Sequence, residues 1–178
     1  WRQLVKLLLP ILALTLSAQF ALTTFEATFA LFAQAKFAFG PAEVGYVFVV
    51  CGLVMTVFQA GAVGVLAGKI SDAKQIRAGF ALMGAGVVLL AIAPTRWLVF
   101  SFVALLSLGM AFIAPNLAAL GSKRGGDDRT GTALGIQNGV NSIGQIGGPL
   151  VGGALFIWQP MAPYFFSGAI LLAVALII

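Results

Sequence analysis

Long apolar runs, repeated along the whole chain, are the feature that most constrains how this protein can fold. Six of them occur in the 178 residues, at about 6–34, 44–68, 74–94, 97–120, 130–157 and 162–178. A helix of about 20 apolar residues is long enough to cross a bilayer. The buried core of a large soluble protein does not account for so many runs of this length. Because hydrophobic residues make up 61% of the chain and charged residues only 8%, the sequence predicts an all-α membrane protein with six transmembrane helices.

The basic residues predict how these helices are oriented. Eight of the ten Lys and Arg residues fall in connections on one side of the membrane, and only Lys36 and Arg96 fall on the other. Short cytoplasmic connections are enriched in Lys and Arg. We therefore expect a multi-pass protein of the cell membrane with both ends of the chain in the cytoplasm. The larger group consists of Arg2, Lys6, Lys69, Lys74, Arg77, Lys123, Arg124 and Arg129. These residues are scattered over several loops and do not form the basic stripe of a nucleic-acid-binding protein, so no nucleic-acid partner is predicted.

The residue content argues against an enzyme. The sequence has no His and a single Cys, Cys51, which excludes histidine-based catalysis, histidine metal sites and an intramolecular disulfide. The remaining residues do not supply a nucleophile–base pair, a metal-binding cluster or a phosphate-binding loop. No metal and no cofactor are therefore predicted. The chain begins at Trp1 and ends within an apolar run, which indicates a piece of a longer protein.

Glu26 is the only ionisable residue in the first apolar run between positions 7 and 34. A charged side chain near the bilayer centre is costly, so it usually faces a bundle interior or an aqueous cavity. At about 100° per residue, one arc of the helix carries Thr15, Gln19, Thr23 and Glu26, and a neighbouring stripe carries Phe25, Phe29 and Phe32. Two interpretations remain open: a proton-binding carboxyl group in a cavity, and a protonated structural acid that is hydrogen-bonded to another helix.

Other polar side chains interrupt the second, fourth and fifth runs. A polar seam that should face protein or water repeats every four residues in the fifth run, at Gln137, Asn141 and Gln145. Gln59 lies alone in the second run, and Asn116 follows Pro115, which interrupts the helical hydrogen bonds of the fourth. For Gln59 and Asn116, a place in a substrate cavity and a hydrogen bond within the bundle are both compatible with the sequence.

Two segments contain glycines together with a proline or with charged residues. A smooth face for close helix packing is predicted in the fifth run from Gly144, Gly148, Pro149, Gly152 and Gly153. The connection between the second and third runs contains Gly64, Gly68, Lys69 and Asp72. A positive cytoplasmic loop with a capped helix explains this connection. A latch that changes partners between two conformations fits the same spacing.

The order of these features resembles the C-terminal six-helix half of a major facilitator superfamily transporter, most of all the drug:proton antiporters that include tetracycline and multidrug exporters. Residues 144–153 fit the antiporter motif G-x-x-x-G-P-x-x-G-G, and residues 25–31 are similar to the acid-bearing seventh helix of that group. The connection 64–72 is similar to a degenerate copy of the family's loop motif, with Gly68 and Lys69 where the motif prefers an Asp-Arg pair. The fourth run lacks the arginine of the family's fourth helix, which favours the second half of the transporter.

The resemblance implies two three-helix units, about 1–94 and 95–178, related by inverted topology and paired with an N-terminal six-helix half that is absent from this chain. It also implies proton-coupled export of lipophilic compounds by alternating access. Glu26 would exchange the proton, and Phe25, Phe29 or Phe32 would stack on a cationic substrate. The two polar seams would line the cavity together with Gln59 and Asn116. The expected partners are the lipid bilayer, the other half, a small-molecule substrate and protons. The alternatives are a sugar or small-metabolite symporter or uniporter of the same fold, and a structural or assembly domain without transport.

Overall fold

A computed structural model describes residues 2–66 and 70–178, with side chains over 6–61, 70–126 and 128–178. Within these ranges the chain forms six α-helices and no β-strand. The helices are α1 (Arg2–Phe37), α2 (Pro41–Leu66), α3 (Asp72–Ala91), α4 (Arg96–Gly125), α5 (Thr130–Trp158) and α6 (Ala162–Ile177). A single 3₁₀ turn, Asp127–Arg129, joins α4 to α5. The predicted all-helical fold is confirmed.

The helices match the apolar runs with small differences at their ends. Five of them, α1 to α5, are long and apolar enough to cross a membrane, and α6 is an apolar helix of 16 residues. α1 extends three residues beyond its predicted end and α4 five. Basic residues near these ends, Lys36 in α1 and Lys123 and Arg124 in α4, are good helix formers and favourable near a helix C-terminus. The apolar pattern therefore underestimates both lengths.

The helices pack in a pattern that leaves two of them partly uncovered. α1 packs chiefly against α5, α3 against α4 and α6, and α2 against α4. Large apolar side chains on α2 and α5 remain exposed, including Val49, Leu53, Val57, Ile143, Ile146 and Leu150. Lipid or another helical bundle is the expected neighbour of such faces in a membrane protein.

The contact between α1 and α5 depends on glycines at four-residue spacing. Gly144, Gly148 and Gly152 are all buried against α1. A Cβ atom at Gly148 would lie 2.8 Å from the carbonyl oxygen of Phe20 and would overlap the hydroxyl group of Thr23. Thr23 Oγ1 donates to the carbonyl oxygen of Gly144 at 3.0 Å, and Thr24 Oγ1 donates to that of Gly148 at 3.2 Å. Backbone approach and interhelical hydrogen bonds therefore hold α1 and α5 together, as small residues allow in membrane helices.

A second close contact joins α3 to α4, and the sequence analysis missed it. A Cβ atom at Gly79 would lie 2.8 Å from the carbonyl oxygen of Gly109, and one at Gly86 would lie 2.6 Å from the backbone nitrogen of Leu106. These glycines do not form an unbroken four-residue repeat within one helix. Their role depends on which residues the partner helix presents, so it becomes visible only in the folded bundle.

On each side of the bundle, a pair of basic residues forms contacts between the ends of different helices. On one side, Lys36 Nζ donates to the carbonyl oxygen of Ala91 at 2.7 Å, and Arg96 Nη2 donates to that of Phe37 at 3.1 Å. Both acceptors are the last residues of helices, where a cation is favourable. Lys36 and Arg96 are the two basic residues that depart from the charge bias, and their contacts give them a structural role.

On the opposite side, consecutive basic residues at the end of α4 join it to α3 and α1. Lys123 Nζ lies 2.7 Å from Asp72 Oδ2, and Arg124 Nη1 donates to the carbonyl oxygen of Leu7 at 2.9 Å. The Lys123–Asp72 pair is solvent-accessible, so it contributes at most about 1 kcal/mol. These contacts bring the start of α1, the start of α3 and the end of α4 to one end of the bundle.

We predict that Gly148→Ala destabilises the protein by about 1–3 kcal/mol, because the added methyl group has to displace Thr23 or the α1 backbone. Gly153→Ala is the matched control, since a Cβ atom at Gly153 meets no atom within 4 Å. Alanine is also the better helix former, so the control should be neutral or slightly stabilising. Thermal unfolding in detergent and the yield of monodisperse protein measure both effects. Equal unfolding midpoints for the two variants would remove the packing role of Gly148.

Candidate functional site

The pairing of α1 with α5 brings the acid-bearing seam of α1 beside the amide seam of α5. An open pocket of ≈ 580 Å³ lies between these helices and is lined by Gln19, Thr23, Glu26, Ala27, Gln145 and Pro149. Three of the four residues that share one arc of α1 therefore line the same pocket as one member of the α5 seam. The two seams were predicted separately, and the close glycine contact is what makes them neighbours.

Glu26 lies exposed on this pocket. Over the described part of the chain, its carboxyl group makes no ion pair and no hydrogen bond. A structural acid in a membrane helix is expected to be bonded to a neighbouring helix. The geometry instead leaves both carboxyl oxygens free for a proton, water or a cationic ligand. When Glu26 is deprotonated, its carboxylate can bind one positive charge.

A second cleft, of ≈ 350 Å³, adjoins the first. Polar side chains line it from α1 and α5, and apolar ones line it mainly from α4. The lining residues are Thr15, Ala18, Gln19, Met110, Ile113, Ala114, Leu117, Ala118, Leu134, Gln137, Asn138 and Asn141. Gln19 lines both spaces, which therefore lie next to each other in a band along the α1–α5 contact. None of the described residues that line the second cleft is ionisable, whereas the first is lined by Glu26.

Gln137 is the most buried polar residue of the second cleft in α5, with 6% of its surface exposed. Its Nε2 donates to Thr15 Oγ1 at 3.1 Å. Its Oε1 has no hydrogen-bond partner among the described residues. Gly121 of α4 lies directly beside this oxygen, since a Cβ atom there would be 2.7 Å from Oε1. The side chain therefore connects three helices but uses only one end of its amide.

Phe25 and Phe29 do not line either space. Both rings are fully buried, with centroids 5.1 Å apart, and both contact the ring of Phe48 on α2. Phe32 is buried as well and packs 4.6 Å from the ring of Tyr164. The expectation that these rings flank the substrate needs correction in this conformation. Their stripe is rotated away from Glu26 on α1, and burying aromatic surface inside the bundle is favourable.

Two further polar residues lie away from the site. Gln59 is exposed on α2 and lines neither space. Asn116 is buried on the α3 side of α4, where its Nδ2 donates to Gln75 Oε1 at 3.2 Å and to the carbonyl oxygen of Phe112 at 2.7 Å. For Asn116 the hydrogen bond within the bundle is therefore the observed arrangement. The opposite face of α4 lines the cleft.

The loop motif predicted between α2 and α3 is described only in part. Gly68 and Lys69 lie outside the described residues, and Gly64 lies in the last turn of α2. Asp72 is the first residue of α3 and pairs with Lys123. Ser71 precedes α3 without a capping hydrogen bond from its side chain. Partner exchange by Asp72 remains a prediction.

Sequence reasoning missed the α4 wall of the cleft and Asn138. The α4 residues at 110, 113, 114, 117 and 118 follow a helical spacing that marks one face. That spacing is a detectable signal, but the whole run is apolar, so no polar residue distinguishes this face from the others. Asn138 directly follows Gln137, and it lies outside the four-residue repeat that was used to define the α5 seam.

Comparison with known proteins adds an independent observation. The family profile described as Major Facilitator Superfamily matches residues 11–178. The chain is 27% identical over 154 residues to Multidrug resistance protein 2 of Bacillus subtilis (strain 168); the aligned region covers 86% of this chain and 38% of that protein. It is 29% identical over 130 residues to Tetracycline resistance protein, class G, of Vibrio anguillarum; this aligned region covers 73% of this chain and 33% of that protein.

A third relative is Tetracycline resistance protein, class E, of Escherichia coli, with 31% identity over 121 residues, 68% of this chain and 30% of that protein. The chain thus spans about a third of the length of these curated relatives. The family profile, in contrast, reaches every one of the six helices described above. Because it covers far more than half of the sequence, this multi-pass membrane chain belongs to the major facilitator superfamily, whose members are transporters and not enzymes.

Proposed function

We propose that this chain is the C-terminal half of a proton-coupled exporter of lipophilic, cationic compounds that works by alternating access. The observation that carries the proposal is Glu26, an acid without a protein partner among the described residues, on an open polar pocket of a membrane-spanning bundle. Relatives named for multidrug and tetracycline resistance support drug-like compounds as substrates, and the carboxyl group of Glu26 is the reason for proposing a cationic one. The polar groups beside Glu26, rather than the buried rings of Phe25 and Phe29, are the proposed binding surface.

The proposed partner is an N-terminal six-helix half. The exposed apolar faces of α2 and α5 and the coverage of only about a third of the relatives support such a partner. The helix contacts also support two inverted three-helix repeats, about 1–94 and 95–178. In such a pair of repeats, α1, α2 and α3 correspond to α4, α5 and α6. The contact between α1 and α5 then corresponds to that between α2 and α4, and the contact between α3 and α4 corresponds to that between α1 and α6. All four contacts occur.

In the proposed mechanism, a proton and the substrate compete for the carboxyl group of Glu26. A closed, poorly hydrated site favours the neutral acid, which therefore holds its proton. When the pocket opens to water on one side, Glu26 can release the proton and bind a cation. Gln19, Thr23 and Gln145 line the same pocket and can supply hydrogen bonds to the substrate. Export follows if each change of access exchanges one ligand for the other.

We predict that Glu26→Gln abolishes proton-driven accumulation of a cationic dye, rhodamine 123, in inside-out vesicles that contain the full transporter. The amide keeps the shape of the acid but cannot exchange a proton. In the parent protein, dye binding should weaken as the pH falls, because protonation removes the negative charge that the dye needs. In Glu26→Gln, binding should be independent of pH. Fluorescence quenching measures accumulation, and fluorescence anisotropy measures binding at several pH values.

The matched control is Glu43→Gln. Glu43 lies in the first turn of α2, where Oε2 accepts a hydrogen bond from the backbone N–H of Gly40 at 2.9 Å. This variant removes the same charge without touching the pocket, so accumulation should stay near the parental level. Parental accumulation in Glu26→Gln would overturn the proton-coupling proposal. The seam on α1 would then serve helix packing.

We also propose that the end of the bundle with Asp72, Lys123 and Arg124 faces the cytoplasm, on the basis of its basic residues. Single cysteines at Asp128 and Gln159, both exposed, report the two sides in a Cys51→Ala background. An impermeant maleimide applied to intact cells should label Gln159→Cys and leave Asp128→Cys unmodified. Labelling of Asp128→Cys alone would reverse the proposed orientation.

A further inference from the structure

Gln137 has an unused hydrogen-bond acceptor. Its side chain is more than nine-tenths buried and lines the uncharged cleft, yet Oε1 has no partner among the described residues. Buried carbonyl groups in proteins are nearly always paired. A group that is left unpaired in one state is therefore expected to find its partner in another state or with a ligand.

The cleft around Gln137 suits a molecule that is largely apolar and carries a neutral hydrogen-bonding group. Its α4 wall is apolar, at Met110, Ile113 and Leu117, and its polar side chains are uncharged. Gln19 lines both this cleft and the neighbouring pocket of Glu26. One molecule that occupies both spaces would place its cation near Glu26 and a second group near Gln137.

We propose that Gln137 turns its amide into the cleft and accepts a hydrogen bond from a hydroxyl or N–H group of the transported compound. The inference rests on the proposed function, because it assigns the substrate of the same site. It specifies that substrate as a lipophilic cation with a hydrogen-bond donor. Glu26 would then bind the charge, and Gln137 would select for the donor.

Few interactions oppose this movement. Within the described part of the chain, Oε1 has no hydrogen bond to lose, and the side-chain amide makes one hydrogen bond, from Nε2 to Thr15. The hydroxyl group of Thr15 can donate to the carbonyl oxygen four residues earlier, as that of Thr28 does in the same helix, so Thr15 does not depend on Gln137 for a partner. Turning the amide therefore gives up the bond from Nε2 to Thr15, and the buried oxygen gains a partner in the ligand.

Two cationic xanthene dyes test the proposal with the purified full transporter. Rhodamine 123 has amino N–H donors, whereas tetramethylrhodamine methyl ester carries only methylated nitrogens and is the more lipophilic of the two. We expect the wild-type protein to bind rhodamine 123 about tenfold more tightly, the size of effect expected for one buried hydrogen bond. Equal affinities, or a preference for the methylated dye, would overturn the proposal whatever the variants do.

Gln137→Met removes the amide and keeps the length of the side chain. It should weaken binding of rhodamine 123 by about tenfold and leave the methylated dye unchanged, so the preference disappears. Thr15→Val removes the partner of Nε2 but not the acceptor, and it should retain the preference. Gln59→Met makes the same chemical change on α2, away from both spaces, and should bind both dyes as the wild type does. A preference that persists in Gln137→Met would assign donor recognition to another group.

The pH dependence of binding separates this inference from the proposed function. Weaker binding at low pH reports on Glu26, and the ratio of the two dye affinities reports on Gln137. Normal pH dependence without a dye preference would overturn the role of Gln137 alone. A dye preference without pH dependence would support Gln137 and overturn the role of Glu26.

Discussion

The close backbone contact between α1 and α5 is the interaction on which the candidate site depends. Gly148 has no side chain to keep the helices apart, so Thr23 and Thr24 reach carbonyl oxygens on the opposite helix. Each helix has a polar seam, and neither seam forms a site by itself. Once the glycines allow the approach, Glu26 and Gln145 line the same pocket, and Thr15 meets Gln137. A larger side chain at Gly148 would therefore alter the site as well as the packing.

The bilayer imposes the second constraint, since polar groups at its centre have little water to bond. The buried polar side chains within the described helices have partners in the protein: for example, Thr28 and Ser167 bond to carbonyl oxygens of the preceding turn, and Asn116 bonds to Gln75. Lys36 and Arg96 bond to the carbonyl oxygens that end two helices. Against this background, two groups that lack such partners among the described residues are the carboxyl group of Glu26 and Oε1 of Gln137. Both belong to the band along α1 and α5, which is why the functional proposals concentrate there.

Sequence reasoning succeeded where the relevant property belongs to one helix. The six apolar runs predicted the all-helical fold, and the motif at 144–153 pointed to the family to which the chain belongs. Sequence reasoning was less successful where a property depends on which helix packs against a given helix face. Phe25 and Phe29 were expected beside the substrate, but they contact Phe48 in the core. Asn116 was as compatible with a cavity as with a hydrogen bond inside the bundle, and only the position of Gln75 decides between them.

The sequence by itself determined the membrane environment, the number of helices, the isolated acid and the glycine spacing, because hydropathy, length and periodicity are properties of a continuous segment. Only the tertiary structure decided that the α1 and α5 seams share one band and that the apolar face of α4 lines part of it. It also decided that Oε1 of Gln137 has no hydrogen-bond partner among the described residues. These features depend on distances between different helices, and the residues of α1 and α5 that meet are more than a hundred positions apart in the chain. They are set by how closely the helix backbones approach, and no local pattern of residues contains that information.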